Sequence, residues 1–222
     1  MVIYVGILGE RELRYIREKF EAGLVEDVPI TYFVSQDCKY CDSVAQLLED
    51  IKSVSGGRIT LNRRNLEGPY VRLLGVRRGP VILIGKYAEL RYTGSPFGEE
   101  AWAFLEGIML ASNRKHGLER YEQDLSSLDK RVKIETIVTP SCPWCPHAVM
   151  IAHRVAVASR GKVISDVIEA YEFPEIADKY NVSAVPTVVL SVDGNYTGDV
   201  FMVGVPKIAP LVNRILKLGI ED

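Results

Sequence analysis

Apolar positions along this chain switch repeatedly between a spacing near 3.6 residues and a spacing of 2, the marks of helix and strand. Leu13, Ile16 and Phe20 share one face of a predicted helix over 10–22, and Gly23 is its C-cap. Residues 29–34 read as a strand, followed by a turn at Ser35, Gln36 and Asp37. Val44, Leu47, Leu48 and Ile51 then fall on one helical face that ends near Gly56 and Gly57. A strand over 58–62, a short helix over 69–74, a hairpin of 81–84 with 90–93, and an amphipathic helix over 98–111 complete the first half. Spacing assigns Trp102 and Leu105 in that last helix to the core.

The same order, α-β-α-β-α-β-β-α, then recurs. Helix 119–128, strand 132–138, a helix carrying Ala148, Ile151, Ala152 and Val155 up to Gly161, strand 162–168 and a short helix over 174–180 are followed by a hairpin. This hairpin joins 187–192 to 199–203 through Asp193-Gly194, and a helix over 206–218 ends the unit. Equivalent residues lie at slowly growing offsets: 104 between Cys38 and Cys142, 106 between Pro80 and Pro186, and 110 between Gly94 and Gly204. A duplication with small insertions is the expected origin. The polar stretch Asn113-Arg-Lys-His-Gly117 marks the boundary, giving domains at 1–117 and 118–222.

Composition narrows the function classes. The 222 residues are 47% apolar and 25% charged with a formal net charge of −2. No basic stripe favours nucleic acid or an anionic membrane. The N-terminus has no basic leader, and no apolar run approaches the roughly 20 residues that span a bilayer, so a soluble, cytoplasmic protein is expected. Glutamine is confined to Gln36, Gln46 and Gln123, which leans toward a thermophilic source.

All four cysteines lie in two Cys-x-x-Cys pairs, Cys38-Lys39-Tyr40-Cys41 and Cys142-Pro143-Trp144-Cys145, each between a predicted strand and a helix. In a cytosolic chain such pairs are more often catalytic or metal-binding than structural. A helix N-terminus lowers a cysteine's pKa, because unsatisfied N–H groups and the positive dipole end favour the thiolate that attacks disulfides. The first cysteine of each pair would form the mixed disulfide and the second would resolve it. Pro143 fits the first helical turn, where its missing N–H costs nothing. Two alternatives stand beside the redox reading: a structural zinc held by four thiolates, and two inert disulfides. Tyr40 and Trp144, set between cysteines that must be reached, are candidate docking surface. His147 could stabilise a Cys142 thiolate as an imidazolium or be an idle surface residue, and it stays outside the catalytic set; His116 and His153 carry no signal.

A strand–CxxC–helix unit followed by an X-Pro strand resembles the thioredoxin fold, an α/β architecture with a central mixed sheet flanked by helices. Two such units in tandem resemble the protein disulfide oxidoreductases of archaea and thermophilic bacteria, also described as glutaredoxin-like proteins. Cys142-Pro-Trp-Cys145 is similar to the Cys-Pro-Tyr-Cys of that family's second unit. The resemblance implies nucleophiles at Cys38 and Cys142, resolving thiols at Cys41 and Cys145, and cis-prolines at Pro80 and Pro186. It also implies that Gly79 and Val185 offer backbone groups to an extended substrate. The implied partners are protein disulfides or dithiols and a thioredoxin-reductase-like flavoprotein, with no cofactor or metal held by the chain itself. An electron carrier between such a reductase and a peroxidase is the neighbouring alternative, and a zinc-stabilised scaffold the non-enzymatic one. One departure stands out. Thioredoxins place a buried acid six residues before the first cysteine; here those positions hold Tyr32 and Thr136, and Glu135 should face the other side of its strand.

Asp37 opposes a thiolate at Cys38 and Lys39 favours it, whereas Cys142 has no charged neighbour and a stiffer Pro-Trp insert. Cys142 is therefore predicted to be the more reactive thiol. In an insulin-reduction assay Cys142→Ser should cost more activity than Cys38→Ser, and equal losses would refute the difference.

Overall fold

The computed structural model describes residues 6–192 and 198–220. The first half contains α1 (Glu10–Gly23), β1 (Val28–Val34), α2 (Cys41–Ser53), β2 (Ile59–Asn65), α3 (Pro69–Leu74), β3 (Val81–Ile84), β4 (Leu90–Thr93) and α4 (Glu100–Asn113). The second contains α5 (Glu119–Ser126), β5 (Val132–Val138), α6 (Cys145–Ala158), β6 (Val163–Glu169), α7 (Pro174–Lys179), β7 (Thr187–Val192), β8 (Asp199–Val203) and α8 (Ile208–Gly219). Every predicted element is present in the predicted order. The predicted Asp193-Gly194 turn lies outside the described residues. No described helix is long and apolar enough to cross a membrane.

Among the described residues, eight strands form one sheet in the order β2-β1-β3-β4-β6-β5-β7-β8. Within each half the pattern is the same. β1 pairs parallel to β2 and antiparallel to β3, as β5 does to β6 and β7, and a further antiparallel strand follows. In both halves the proline opening the third strand accepts a hydrogen bond from the glycine ending the fourth: Gly94 N–H to Pro80 O at 2.9 Å, and Gly204 N–H to Pro186 O at 2.7 Å. Both glycines have positive φ, which a side chain would disfavour.

The halves meet where β4 runs parallel to β6, Leu90 opposite Ser165 through Thr93 opposite Ile168. Both strands are therefore interior, and the polar side chains at this joint are buried and satisfied. On one face Arg91 Nε lies 3.1 Å from Asp166 Oδ2, its Nη2 donates to Leu74 O at 2.7 Å, and Thr93 Oγ1 donates to Asp166 Oδ1 at 2.8 Å. On the other face Tyr92 Oη is 3.1 Å from His153 Nε2, and His153 Nδ1 is 2.8 Å from Ser165 Oγ.

The two sheet faces carry separate cores. On one, Ile30, Tyr32, Ile134 and Val138 pack with residues of α1, α2, α4, α6 and α8, Cys41 and Cys145 among them, and with Cys142 in the turn before α6. On the other, Phe33, Val81, Ile137 and Ile168 pack with Leu74 at the end of α3, Phe173 at the start of α7 and Tyr180 just past its end. Leu48 and Ile51, almost wholly buried, each contribute roughly 1.5–3 kcal/mol to holding α2 on the sheet. β2 continues to Asn65, beyond the predicted 62, because it is an edge strand whose last residues are exposed and need no apolar alternation.

α4 and α6 lie side by side. Trp102 sits against His147, with ring centroids 5.8 Å apart, and Gly107 against the His153 ring, where a Cβ would come within 3.0 Å of Cδ2. Residue numbers rise together along both helices, so they run parallel. Trp102 is 45% exposed, not core as predicted: the face of α4 that turns inward carries Ala103, Phe104 and Gly107, and the indole covers the groove's outer rim.

Asp166→Ala would strand the buried Arg91 guanidinium, so urea unfolding should report a loss of about 3–5 kcal/mol. Replacing both partners, Arg91→Met with Asp166→Leu, should recover most of it. An unchanged midpoint for Asp166→Ala would show that the pair does not constrain the joint.

Candidate active site

Each Cys-x-x-Cys pair occupies the turn between the first strand of its half and the helix that follows. The alternation of β1 and β5 ends at Val34 and Val138, and a short turn then carries the first cysteine to the start of a helix. Cys41 and Cys145 are the first residues of α2 and α6, with Tyr40 and Trp144 as N-caps. Both pairs are closed as disulfides with 5.5 Å between Cα atoms. Pro143 lies one residue ahead of the N-cap rather than in the predicted first helical turn. Pro146 takes that role, because Cys142 caps the turn first: its Sγ accepts the Cys145 N–H at 3.1 Å. Such a donor favours the thiolate when the bond is open.

The two sites differ. Cys38 is half-buried, whereas Cys142 is 7% exposed; the resolving positions Cys41 and Cys145 are buried in both. At the first site Tyr40 meets Phe97 edge-on with centroids 6.4 Å apart, and Lys39 Nζ lies 4.9 Å from the centre of the Tyr40 ring. Beside them opens a cleft of about 400 Å³. Tyr40, Gly79 and Phe97 line it from the first half, and Pro140, Glu169 and Tyr171 from the second. At the second site Trp144 is 66% exposed and His147 stands between Trp144 and Trp102, with centroids 6.1 and 5.8 Å away. Of the two predicted docking aromatics, Trp144 faces solvent and Tyr40 packs on a neighbour.

Gly79-Pro80 and Val185-Pro186 are both cis peptides. Pro80 and Pro186 are buried, and Val185 packs against both cores. A Cβ at Gly79 would lie 2.7 Å from Phe33 O and 3.1 Å from Cys41 Sγ, so only glycine fits so close to the disulfide. The Gly79 N–H is already engaged, donating to Ser35 Oγ at 3.0 Å.

No carboxylate occupies the position six residues before either first cysteine. Tyr32 and Thr136 point into the cysteine-bearing core, and the Thr136 hydroxyl is buried there without a hydrogen-bond partner. Glu135 faces the opposite core, as its place on the strand requires. It accepts from Tyr180 Oη at 2.7 Å and pairs with Lys133 at 2.7 Å. That burial and that carboxylate together hold the Tyr180 phenol above its ordinary range.

Sequence reasoning passed over one acid. Glu100, the first residue of α4, is 1% exposed, and neither carboxylate oxygen has a hydrogen-bond partner. Burial, with Glu99 adding to it, pushes its carboxyl up to about 8. Nothing in the local sequence separates it from Glu99, since acids are ordinary in a first helical turn.

The thioredoxin domain family matches residues 131–215. A thioredoxin of Methanocaldococcus jannaschii is 37% identical over 87 residues, which is 39% of this chain and 95% of that one. Among solved structures, a protein disulfide oxidoreductase from Aeropyrum pernix aligns with a TM-score of 0.82 and 34% identity over 97% of this chain and 95% of its own. The alkylhydroperoxide reductase AhpF of Enterococcus faecalis shares the fold, with a TM-score of 0.77 at 19% identity over 94% of this chain and 99% of that one. With both thiol pairs set at helix starts in a tandem arrangement that matches almost end to end, the chain belongs to the thioredoxin-fold protein disulfide oxidoreductases.

Proposed function

We propose that the protein exchanges dithiols and disulfides with protein substrates through two non-equivalent sites, Cys38/Cys41 and Cys142/Cys145. The observation that carries this reading is the pair of disulfides, each closed at the start of a helix, in halves that each carry one cis X-Pro peptide. Cys38 and Cys142 are the attacking sulfurs, being the members of each pair outside the helix. Cys41 and Cys145, buried at the first helical position, are the resolving ones. A substrate thiolate or disulfide reacts at the first cysteine to give a mixed disulfide, and the second cysteine displaces it.

An extended substrate segment would lie against the cis-proline turns. At the first site the Gly79 carbonyl is the group left for it, since Ser35 holds the N–H; at the second, Val185 offers its backbone in the same place. Tyr40 at the first site and Trp144 at the second flank the entering chain. We set the division between the thioredoxin-like domains at 117/118, supported by the repeated topology on either side of Gly117 and by its positive φ. A flavoprotein reductase that recharges the thiols, and work in the cytoplasm, complete the proposal.

The test is turbidimetric insulin reduction with dithiothreitol, together with metal analysis. The unsubstituted chain should accelerate precipitation, and Cys38→Ser combined with Cys142→Ser should fall to the uncatalysed rate. Stoichiometric zinc with no acceleration would overturn the proposal in favour of a metal-held scaffold.

A further inference from the structure

The cleft beside Tyr40 has a far wall supplied by the second half, residues 169–172 at the end of β6 and in the turn after it. This wall is held from two directions. From within, Glu169 accepts the Tyr171 N–H at 3.1 Å and the Glu172 N–H at 2.7 Å. From the first half, the Ser95 N–H donates to Glu172 Oε1 at 2.7 Å, and the Arg78 guanidinium donates to the Glu172 carbonyl. Arg78 also pairs with Glu175 at 2.8 Å and lies over the Phe173 ring, 4.7 Å from its centre. Because Arg78 directly precedes Gly79, these bonds fix the wall relative to the first cis-proline turn.

What the cleft can take follows from its lining. Tyr40 and Phe97 stand on the first-half side and Tyr171 on the other. Tyr171 is 72% exposed and belongs to neither core, so its ring is surface for whatever enters. Charge adds a sign. Three carboxylates line the cleft, those of Asp37, Glu169 and Glu172, against the two cations Lys39 and Arg78. Both cations are engaged: Arg78 by Glu175 and the Glu172 carbonyl, Lys39 over the Tyr40 ring at 4.9 Å from its centre. Asp37, next to Cys38, is exposed and has no hydrogen-bond or ion-pair partner among the described residues. The space beside the first thiol pair is therefore aromatic on two sides and negative in balance.

We propose that the first thiol pair selects disulfides whose cysteine is flanked by lysine or arginine, with Tyr171 and Glu172 of the second half as part of its substrate site. This rests on the oxidoreductase reading and names the substrate class of that site. The extended segment lies in the cleft with its backbone at Gly79. The methylene stem of its cationic side chain rests on Tyr171, and the charged end points to Asp37 and Glu172. In the reduced protein the Cys38 thiolate attacks one sulfur of the substrate disulfide. A bond forms between Cys38 and that sulfur, the substrate S–S bond breaks, and the other substrate sulfur leaves as a thiolate that takes a proton from water. Cys41, its proton given to water, then closes the Cys38–Cys41 bond and expels the bound segment as a second thiolate. The protein dithiol is oxidised and the substrate disulfide is reduced to two thiols. Charge acts on encounter and register, and the bond exchange itself is the same for every substrate.

The decisive experiment uses the full chain with Cys142→Ser and Cys145→Ser, so that only the first pair reports. The probes are two short peptides, identical except for lysine or glutamate on both sides of a single cysteine, each supplied as its homodimeric disulfide. The reduced chain is mixed with each, the reaction is quenched in acid, and the released peptide thiol is measured by chromatography. Dividing by the rate of dithiothreitol thiolate with the same peptide removes the peptide's own reactivity. On this scale the lysine peptide should react roughly tenfold faster than the glutamate peptide, and the ratio should shrink as salt rises from about 0.05 to 0.5 M. Asp37→Asn with Glu172→Gln should bring the ratio within about twofold; the glutamine keeps an oxygen for the Ser95 N–H. Tyr171→Ser should slow both peptides several-fold without changing the opening of the first disulfide by dithiothreitol. A ratio near one before substitution, or a lysine preference that survives loss of both carboxylates, would overturn the proposal, as would peptide rates untouched by Tyr171→Ser. Should the double variant not fold, Asp37→Asn alone, at an exposed position, must lower the ratio, and an unchanged ratio refutes the selection by charge. Reaction with neither peptide also overturns it, and together with failure to reduce insulin sinks the oxidoreductase reading; equal rates remove the selectivity alone.

Discussion

Two strand edges that each half would otherwise present to solvent, β4 and β6, are hydrogen-bonded to each other from Leu90 and Ser165 to Thr93 and Ile168. An unpaired edge is a template for wrong partners, and pairing the two removes both at once. The joint also sets what surrounds the sites. It lays α4 along α6 and brings the loop after β4 against Pro140. It also aligns the ends of β4 and β6 so that residues of both halves wall the cleft beside Tyr40. Burying strand positions on both faces left polar side chains there without water. Arg91, Thr93 and Asp166 answer that on one side and Tyr92, His153 and Ser165 on the other.

The scaffolds are equivalent and the surroundings of the thiol pairs are not. Gly79 closes so tightly on Cys41 and Phe33 that no side chain fits, while Val185 holds the same place in the second half. The residues on either side of Cys38, Asp37 and Lys39, line a cleft shared by the two halves; Cys142 is shielded, with the exposed indole of Trp144 two residues on. A single motif has thus been placed in two surroundings that differ in access and in the side chains around them.

Elements were legible because apolar periodicity changes cleanly at each boundary, and the thiol pairs because four cysteines at this spacing have few uses. The joint was not legible. Leu90-Arg-Tyr-Thr93 alternates as it would on a half-exposed edge, and only the register with β6 shows that Arg91 faces Asp166. Glu100 was hidden for a related reason: it and Glu99 read alike, and only the angle at which α4 leaves its loop buries one of them. Trp102 failed in the other direction, since helical spacing says which residues share a face but not which face a neighbouring helix will cover. Pairings within one half were readable from local pattern; contacts between halves depend on residues some seventy positions apart and leave no local trace.

Joining the fourth strand of one unit to the outer strand of the next is a head-to-tail operation, and nothing in its geometry stops at two. β8 and β2 are the same two edges, left over at the ends. Placed by the offsets of the repeat, Phe201 stands where Arg91 does, Asn62 where Asp166 does, and Arg63 and Arg64 where Val167 and Ile168 do. A second molecule adding through β8 to β2 would lose the ion pair and bury two guanidinium groups without partners. Inside the chain the joint is cemented by charge; at its ends the equivalent positions carry no matching pair, so the side chains there do not repeat what the backbone edge would allow.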